Sequence, residues 1–176
     1  MELYADGGTF HLKSAKEKDF QVVLQLLIQA ATWLQTKGTT QWDYYLTHLE
    51  ENTQEILDSI LKGNTYILMK ENKAIATISL EDQPTEWDTD IWGQARNNND
   101  IVYLHRIVVD REYAGKQIGE KLIEWAVQLV KGQGKQYIRF DCLRSNKGLN
   151  TYYQRKYELK GIANIYGEHC KYEIVV

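Results

Sequence analysis

The sequence predicts an α/β fold built on one mixed sheet. Three observations carry this expectation. Apolar residues recur at helical spacing in two long stretches, from Phe20 to Leu34 and from Ile118 to Leu129. Shorter apolar or alternating stretches, bounded by turn residues, read as strands. The helices fall between hairpins and single strands, which suits a mixed sheet rather than a barrel or a bundle. The chain has 176 residues, 43% of them apolar. That is one domain, residues 1–176, with enough apolar material to bury a core.

Each element has a local cause. Phe10 to Ser14 reads as a first strand, and Asp19 as the cap of the helix that follows. Phe20, Val23, Leu24, Leu27, Ala31 and Leu34 give that helix one apolar face to about Thr36, and Gly38 stops it. Thr39 to Thr47 is a loop or short turn. A second helix runs from Thr53 to Leu61 and ends at Gly63. The period then changes. Thr65–Met69 and Ala74–Leu80 flank a Glu71-Asn72 turn as a hairpin. Glu81 to Asp100 is a long polar loop, and loops of this length are often functional. Ile101 to Val109 is the most apolar strand. Ile118, Leu122, Trp125, Ala126 and Leu129 mark a helix closed by Gly132 and Gly134. Tyr137–Cys142 alternates, and Asn146–Arg155 is a short helix. Tyr157–Asn164 and His169–Val175 are the last strands, joined at Gly167. The expected order is β-α-α-β-β-β-α-β-α-β-β.

Composition excludes several classes of function. The net charge of -3 leaves no overall basic field, so nucleic acid is not expected as a direct ligand. No apolar run approaches the ~20 residues of a membrane span. The first residues lack the basic flank and apolar run of a signal peptide, so no membrane partner is expected. Cys142 and Cys170 have no metal-site or disulfide-framework spacing, so the expectation is a reducing cytoplasm and no metal. Tyrosines (12) and tryptophans (5) far outnumber phenylalanines (3). A polar handle on an apolar body suits pockets as well as cores.

The stretch that carries chemistry runs from Val102 to Ala126. An apolar strand enters a short loop with Gly115 and Gly119, and the loop enters an amphipathic helix. A loop at a helix N-terminus presents free N–H groups, and the helix dipole adds positive potential, so the junction suits an anion. Arg111 and Lys116 add side-chain charge. Glycines at a strand–turn–helix junction can equally be structural.

This stretch resembles the acetyl-CoA-binding motif of the GNAT N-acetyltransferase superfamily, (Gln/Arg)-x-x-Gly-x-(Gly/Ala). The motif falls on Ala114-Gly-Lys-Gln-Ile-Gly119. Gly119 matches. Ala114 stands for Gln or Arg, Gln117 for the middle glycine, and Arg111 where proline is common. Tyr103-Leu-His-Arg-Ile-Val-Val109 resembles the family's central strand. Asp141-Cys-Leu-Arg-Ser-Asn146, followed by Leu149-Asn-Thr-Tyr-Tyr-Gln-Arg155, resembles its next strand, asparagine and tyrosine-bearing helix. The resemblance covers nearly the whole chain and is most specific between Val102 and Tyr157.

The resemblance implies that the fourth and fifth strands splay apart around the pantetheine arm of acetyl-CoA, the co-substrate. Ile107, Val108 and Val109 would bind the arm through backbone groups and polarise the thioester carbonyl. Ala114, Gly115, Lys116, Gln117, Ile118 and Gly119 would hold the pyrophosphate. Asn146 would reach the pantetheine; it is also a good helix N-cap. The reaction implied is direct attack by a primary amine of a small molecule. Tyr153, with Tyr152 in reserve, would protonate the departing thiolate, since a phenol with a reference pKa of about 10 stays protonated. On a helix the two rings differ by about 100° of rotation, so only one can face the sulfur.

The acceptor side is expected near the first two helices and the long loop. Trp33, Trp42 and Trp87, with Glu81, could recognise a cationic amine; tryptophans there could equally cover the edge of the core. Glu81 is also readable as a water-linked base or a solvated loop charge. His105 inside its strand reads more readily as a core histidine than as a base. Arg106 reads as an ion-pair or substrate-contact residue. The resemblance leaves monomer and homodimer open. A second reading is a non-catalytic acyl-CoA-binding sensor or interaction domain, which the departures at Ala114 and Gln117 could fit.

Overall fold

The computed structural model describes residues 1–47, 53–94 and 97–176. β1 (Glu2–Ala5) and β2 (Gly8–Ser14) form a hairpin at one edge of the sheet. Asp6 and Gly7 between them have φ of 47° and 69°. Two such residues make the tight turn whose twist matches paired strands. The expected first strand, Phe10–Ser14, is therefore the second half of a hairpin. A 3₁₀ turn (Glu17–Asp19) leads into α1 (Phe20–Gln35). Asp19 does not cap α1 with its side chain. Its carboxylate accepts the Lys16 N–H at 2.9 Å and the Lys13 ammonium at 3.2 Å, closing the 3₁₀ turn instead.

The segment expected as a loop or turn before residue 48 contains the short helix α2 (Tyr44–Thr47). α3 (Gln54–Leu61) and the hairpin of β3 (Thr65–Lys70) and β4 (Lys73–Glu81) follow as expected. The long polar loop is not all loop. It holds α4 (Glu86–Trp92), started by a reciprocal cap in which Thr85 Oγ1 accepts the Asp88 N–H and Asp88 accepts the Thr85 N–H. Then come β5 (Ile101–Val109), α5 (Ile118–Gly132), β6 (Tyr137–Leu143), α6 (Lys147–Gln154), β7 (Glu158–Asn164) and β8 (Glu168–Val175).

Among the described residues the strands form one eight-stranded sheet, in the order β1-β2-β3-β4-β5-β6-β8-β7. Each face buries its own core. Leu122, Ile123, Ala126 and Val130 of α5 pack with Ala76, Ile78, Val102, Leu104, Ile138 and Phe140 on one face. Val23, Leu24 and Leu27 of α1 pack with Ile56, Ile60, Ile67 and Val108 on the other.

Two irregularities in β5 position everything that follows. β5 and β6 are the parallel pair, and their register runs only from Ile101–Tyr137 to Tyr103–Arg139. Beyond it the strands part. β5 also bulges against β4: Ser79 faces His105 and Thr77 faces Val108, so β5 carries one extra residue. Arg106 takes a φ of 51° there. Leu104 and Ile107 both reach the α5 core. The bulge thus turns His105 and Arg106 together toward the opposite face.

Candidate active site

The gap between β5 and β6 opens into two cavities. One, of about 400 Å³, lies on the α5 side and is bordered by Ile107, Val109, Arg111, Gly115, Gln117 and Gly119. The other, of about 580 Å³, reaches the opposite face, where Trp42, Trp87, His105, Arg106, Asp141 and His169 border it. Ile107, Leu149 and Tyr153 border both. A linear ligand could thus pass through the sheet at these three residues.

The α5 side is built for an anion. Gly115 has a φ of 79°, and Gln117, at the N-cap of α5, has φ 58° and ψ 13°. Two left-handed residues tuck the loop under the helix start. The first N–H groups of α5 have no acceptor within the helix, and Ile118, Gly119 and Glu120 there border the cavity. Glu120 is held by an ion pair to Lys156, which offsets its charge. A β-carbon at Gly119 would meet only Val109 Cγ2 at 3.8 Å, an ordinary contact, so this glycine answers no crowding within the protein. Arg111 lies with its guanidinium 3.6 Å from the Trp33 ring centre, and its own N–H donates to Gln29. Trp33 therefore sits behind Arg111 and borders neither cavity. Lys116 extends over Tyr113 at 5.1 Å.

The other expected residues divide by facing. Ile107 and Val109 look toward the gap, whereas the Val108 side chain is in the α1 core. Asn146 caps α6, accepting the Leu149 N–H at 3.2 Å, and its amide donates to Gln41 at 3.0 Å. Tyr153 packs in an aromatic cluster with Phe140 at 4.9 Å and Tyr172 at 5.4 Å. Burial pushes its phenol far above the ordinary value, so it stays protonated. No hydrogen bond to that hydroxyl is found among the described residues. Tyr152 is half-buried and borders only the smaller cavity. Glu81 is 6% exposed and borders neither cavity, accepting from Asn64 at 2.6 Å with Arg106 at 4.0 Å.

The larger cavity holds groups that the sequence reading did not assemble. Asp141 accepts from Trp87 Nε1 at 3.1 Å, and its second oxygen meets His169 Nδ1 at 2.8 Å. Trp87 stands edge-on to the His169 ring at 4.9 Å and stacks on Tyr166 at 6.4 Å. His105 Nε2 meets Asp88 at 3.0 Å. Burial opposes charge on His105, but the charge and hydrogen bond of Asp88 outweigh it and raise its pKa. Arg106 bonds to Tyr45 Oη at 3.2 Å and Glu55 at 3.2 Å. The Thr85-x-x-Asp88 pattern was a legible signal for α4. Nothing local marks His169, because its partner lies 28 residues away. Among the described residues no cluster of three or more His, Cys, Asp or Glu could hold a metal ion, and no helix is long and apolar enough to cross a membrane.

Comparison with known proteins bears on the family and the fold. The sequence model of the acetyltransferase (GNAT) family matches residues 28–157. The N-acetyltransferase YesJ of Bacillus subtilis is 32% identical over 96% of this chain and 91% of its own. A GNAT-family acetyltransferase structure from Listeria monocytogenes superposes with a TM-score of 0.80, at 27% identity over the full length of both chains. The PaiA N-acetyltransferase of Thermoplasma acidophilum, solved in complex with coenzyme A, shares the fold. Its TM-score is 0.72, with 16% identity over 95% of this chain and 99% of that one.

Proposed function

The chain belongs to the acetyltransferase (GNAT) family, and on that premise we propose that it moves an acetyl group from acetyl-CoA to a primary amine of a small molecule. The observation that carries this reading is the parting of β5 from β6 after Tyr103 and Arg139, with Tyr153 where the two cavities meet. The residues on the α5 side fit the co-substrate. Gly115 and Gln117 curl the loop so that the α5 N-terminus can take the pyrophosphate. The apolar walls of Ile107, Val109 and Leu149 suit the pantetheine arm. That a relative of this fold was solved with coenzyme A supports the same placement.

Acetyl-CoA supplies an activated thioester. The protein supplies position and protons. Backbone groups of Ile107 to Val109 polarise the carbonyl. The amine nitrogen bonds to the carbonyl carbon, the carbon–sulfur bond breaks, and Tyr153 gives its phenol proton to the sulfur. The proton shed by the nitrogen goes to a base on the acceptor face, leaving an N-acetyl amide and CoA thiol. Aromatic walls from Trp42 and Trp87 suit an amine carried on an apolar or aromatic body. The test is thiol release from acetyl-CoA across a panel of primary amines. Amine-dependent release supports the proposal. Binding of acetyl-CoA with no amine-dependent release favours the sensor reading instead.

A further inference from the structure

We propose that His169, oriented by Asp141, is the general base that takes the proton from the acceptor amine; this rests on the reaction proposed above. Nδ1 of His169 lies 2.8 Å from Asp141 Oδ2. An ionised carboxylate can only accept, so Nδ1 carries the ring proton and Nε2 carries the lone pair. Nε2 has no hydrogen-bond partner among the described residues, and His169 borders the larger cavity. Trp87 locks the arrangement from two sides, donating to the other Asp141 oxygen and standing against the imidazole ring. A nucleophile's base held by an orienting carboxylate is a recurrent solution to this proton transfer.

The position fits the chemistry. Tyr153 belongs to the core on the α5 face, whereas Asp141 and His169 meet Trp87 of α4 on the other. Acid and base therefore approach the gap from opposite faces of the sheet, and both border the larger cavity. As the N–C bond forms, His169 Nε2 takes one proton from nitrogen; as the C–S bond breaks, Tyr153 gives one to sulfur. Return of a proton from imidazolium to phenolate through solvent restores both. His105 also has one ring nitrogen on a carboxylate and the other free among the described residues, but its partner Asp88 holds the start of α4 through Thr85, so that pair serves the fold.

Several charged groups surround His169: His105, whose charged form Asp141 also favours, and Arg106 border the same cavity from β5, and Asp88 of α4 pairs with His105. Asp141 comes from β6 and is in contact. Tyr166 stands beyond Trp87 in the β7–β8 turn. Arg144 and Glu168 form a 2.7 Å pair next along the chain. The strand residues opposite His169, Leu143 and Ala163, carry no charge.

The experiment compares wild type with His169→Gln on two acceptors, phenethylamine and the weakly basic aniline, with acetyl-CoA binding followed by calorimetry. The variant should bind acetyl-CoA like wild type and lose about 10²-fold in kcat with phenethylamine. It should lose far less with aniline, whose nitrogen sheds its proton without help. Equal losses on both amines, or none, would overturn the assignment. Wild type that binds acetyl-CoA yet acetylates neither amine, nor any in the wider panel, overturns the proposed reaction and the base with it. Nitrogen-15 NMR gives a readout free of turnover. Neutral His169 should be the Nδ1–H tautomer in wild type and lose that preference in Asp141→Asn; a dominant Nε2–H form in wild type would overturn the proposal.

Discussion

Replacing Tyr153 by phenylalanine removes one oxygen at the point where the two cavities meet. The ring contacts with Phe140 and Tyr172, at 4.9 and 5.4 Å, remain. The lost hydroxyl has no hydrogen-bond partner among the described residues, so no partner is orphaned. With no partner left unsatisfied the change should be near neutral, about 0.5 kcal/mol or less, and a chain of this size then moves its Tm by no more than about 1–2 °C. Activity should respond differently. A positioned acid contributes ~10²–10⁴-fold, equivalent to about 2.7–5.4 kcal/mol of barrier. The assay is thiol release at saturating acetyl-CoA and amine, with Tyr152→Phe as the control. Tyr152 borders only the smaller cavity, so its variant should alter acetyl-CoA KM more than kcat. Unchanged kcat in Tyr153→Phe, or a larger loss in Tyr152→Phe, would refute the reasoning.

Other consequences follow from the backbone and from charge. Gln117 holds a φ of 58°, at about 1–2 kcal/mol for a residue with a β-carbon, against ~0.5–1 kcal/mol of extra chain entropy for glycine. Gln117→Gly should raise Tm by up to about 6 °C and keep acetyl-CoA binding; a fall in Tm would show that the amide side chain matters more than the backbone. The His105–Asp88 pair should stabilise the fold most between about pH 4 and 6.5. His105 is raised above its usual 6.5, so its contribution is full below that value and fades as pH rises through the folded pKa. Burial pushes the Asp88 carboxyl up, but His105 and Thr85 outweigh this and hold it below its usual 3.8. Its contribution is present above 3.8 and fades as pH falls through the folded value. The Tm gap between wild type and His105→Gln, measured against pH, should therefore peak in that window; a flat gap would refute the pairing.

The sequence made the central strands and both long helices legible because their apolar periods are long and unbroken. It also placed the loop at Gly115–Gly119 and the tyrosine helix, because those features are contiguous. Short elements were harder. β1 is only Glu2–Ala5, and its main cue is the Asp6-Gly7 turn. α4 is one capping box followed by seven residues whose period is set by packing on the sheet rather than by a strong apolar stripe. The bulge at Arg106 was not legible at all. It arises from register against β4, and it alone explains why His105 and Arg106 share a face. The Asp141–His169 contact is long-range for the same reason: strand order, not sequence distance, brings β6 beside β8. Trp33 and Glu81 show the converse. Residue type suggested an acceptor role, but the fold spends one behind Arg111 and the other on Asn64 and Arg106.

The central claim is that the α5 loop and the gap between β5 and β6 form one acetyl-CoA site. Thermal unfolding with and without acetyl-CoA tests it most directly. A ligand at about 100 times its Kd that binds only the folded state adds ~2.7 kcal/mol, which should raise Tm by about 5–10 °C at this chain length. That shift is expected with acetyl-CoA and with CoA, and none with pantetheine, which lacks the pyrophosphate. No shift at millimolar acetyl-CoA, or an equal shift with pantetheine, would contradict it.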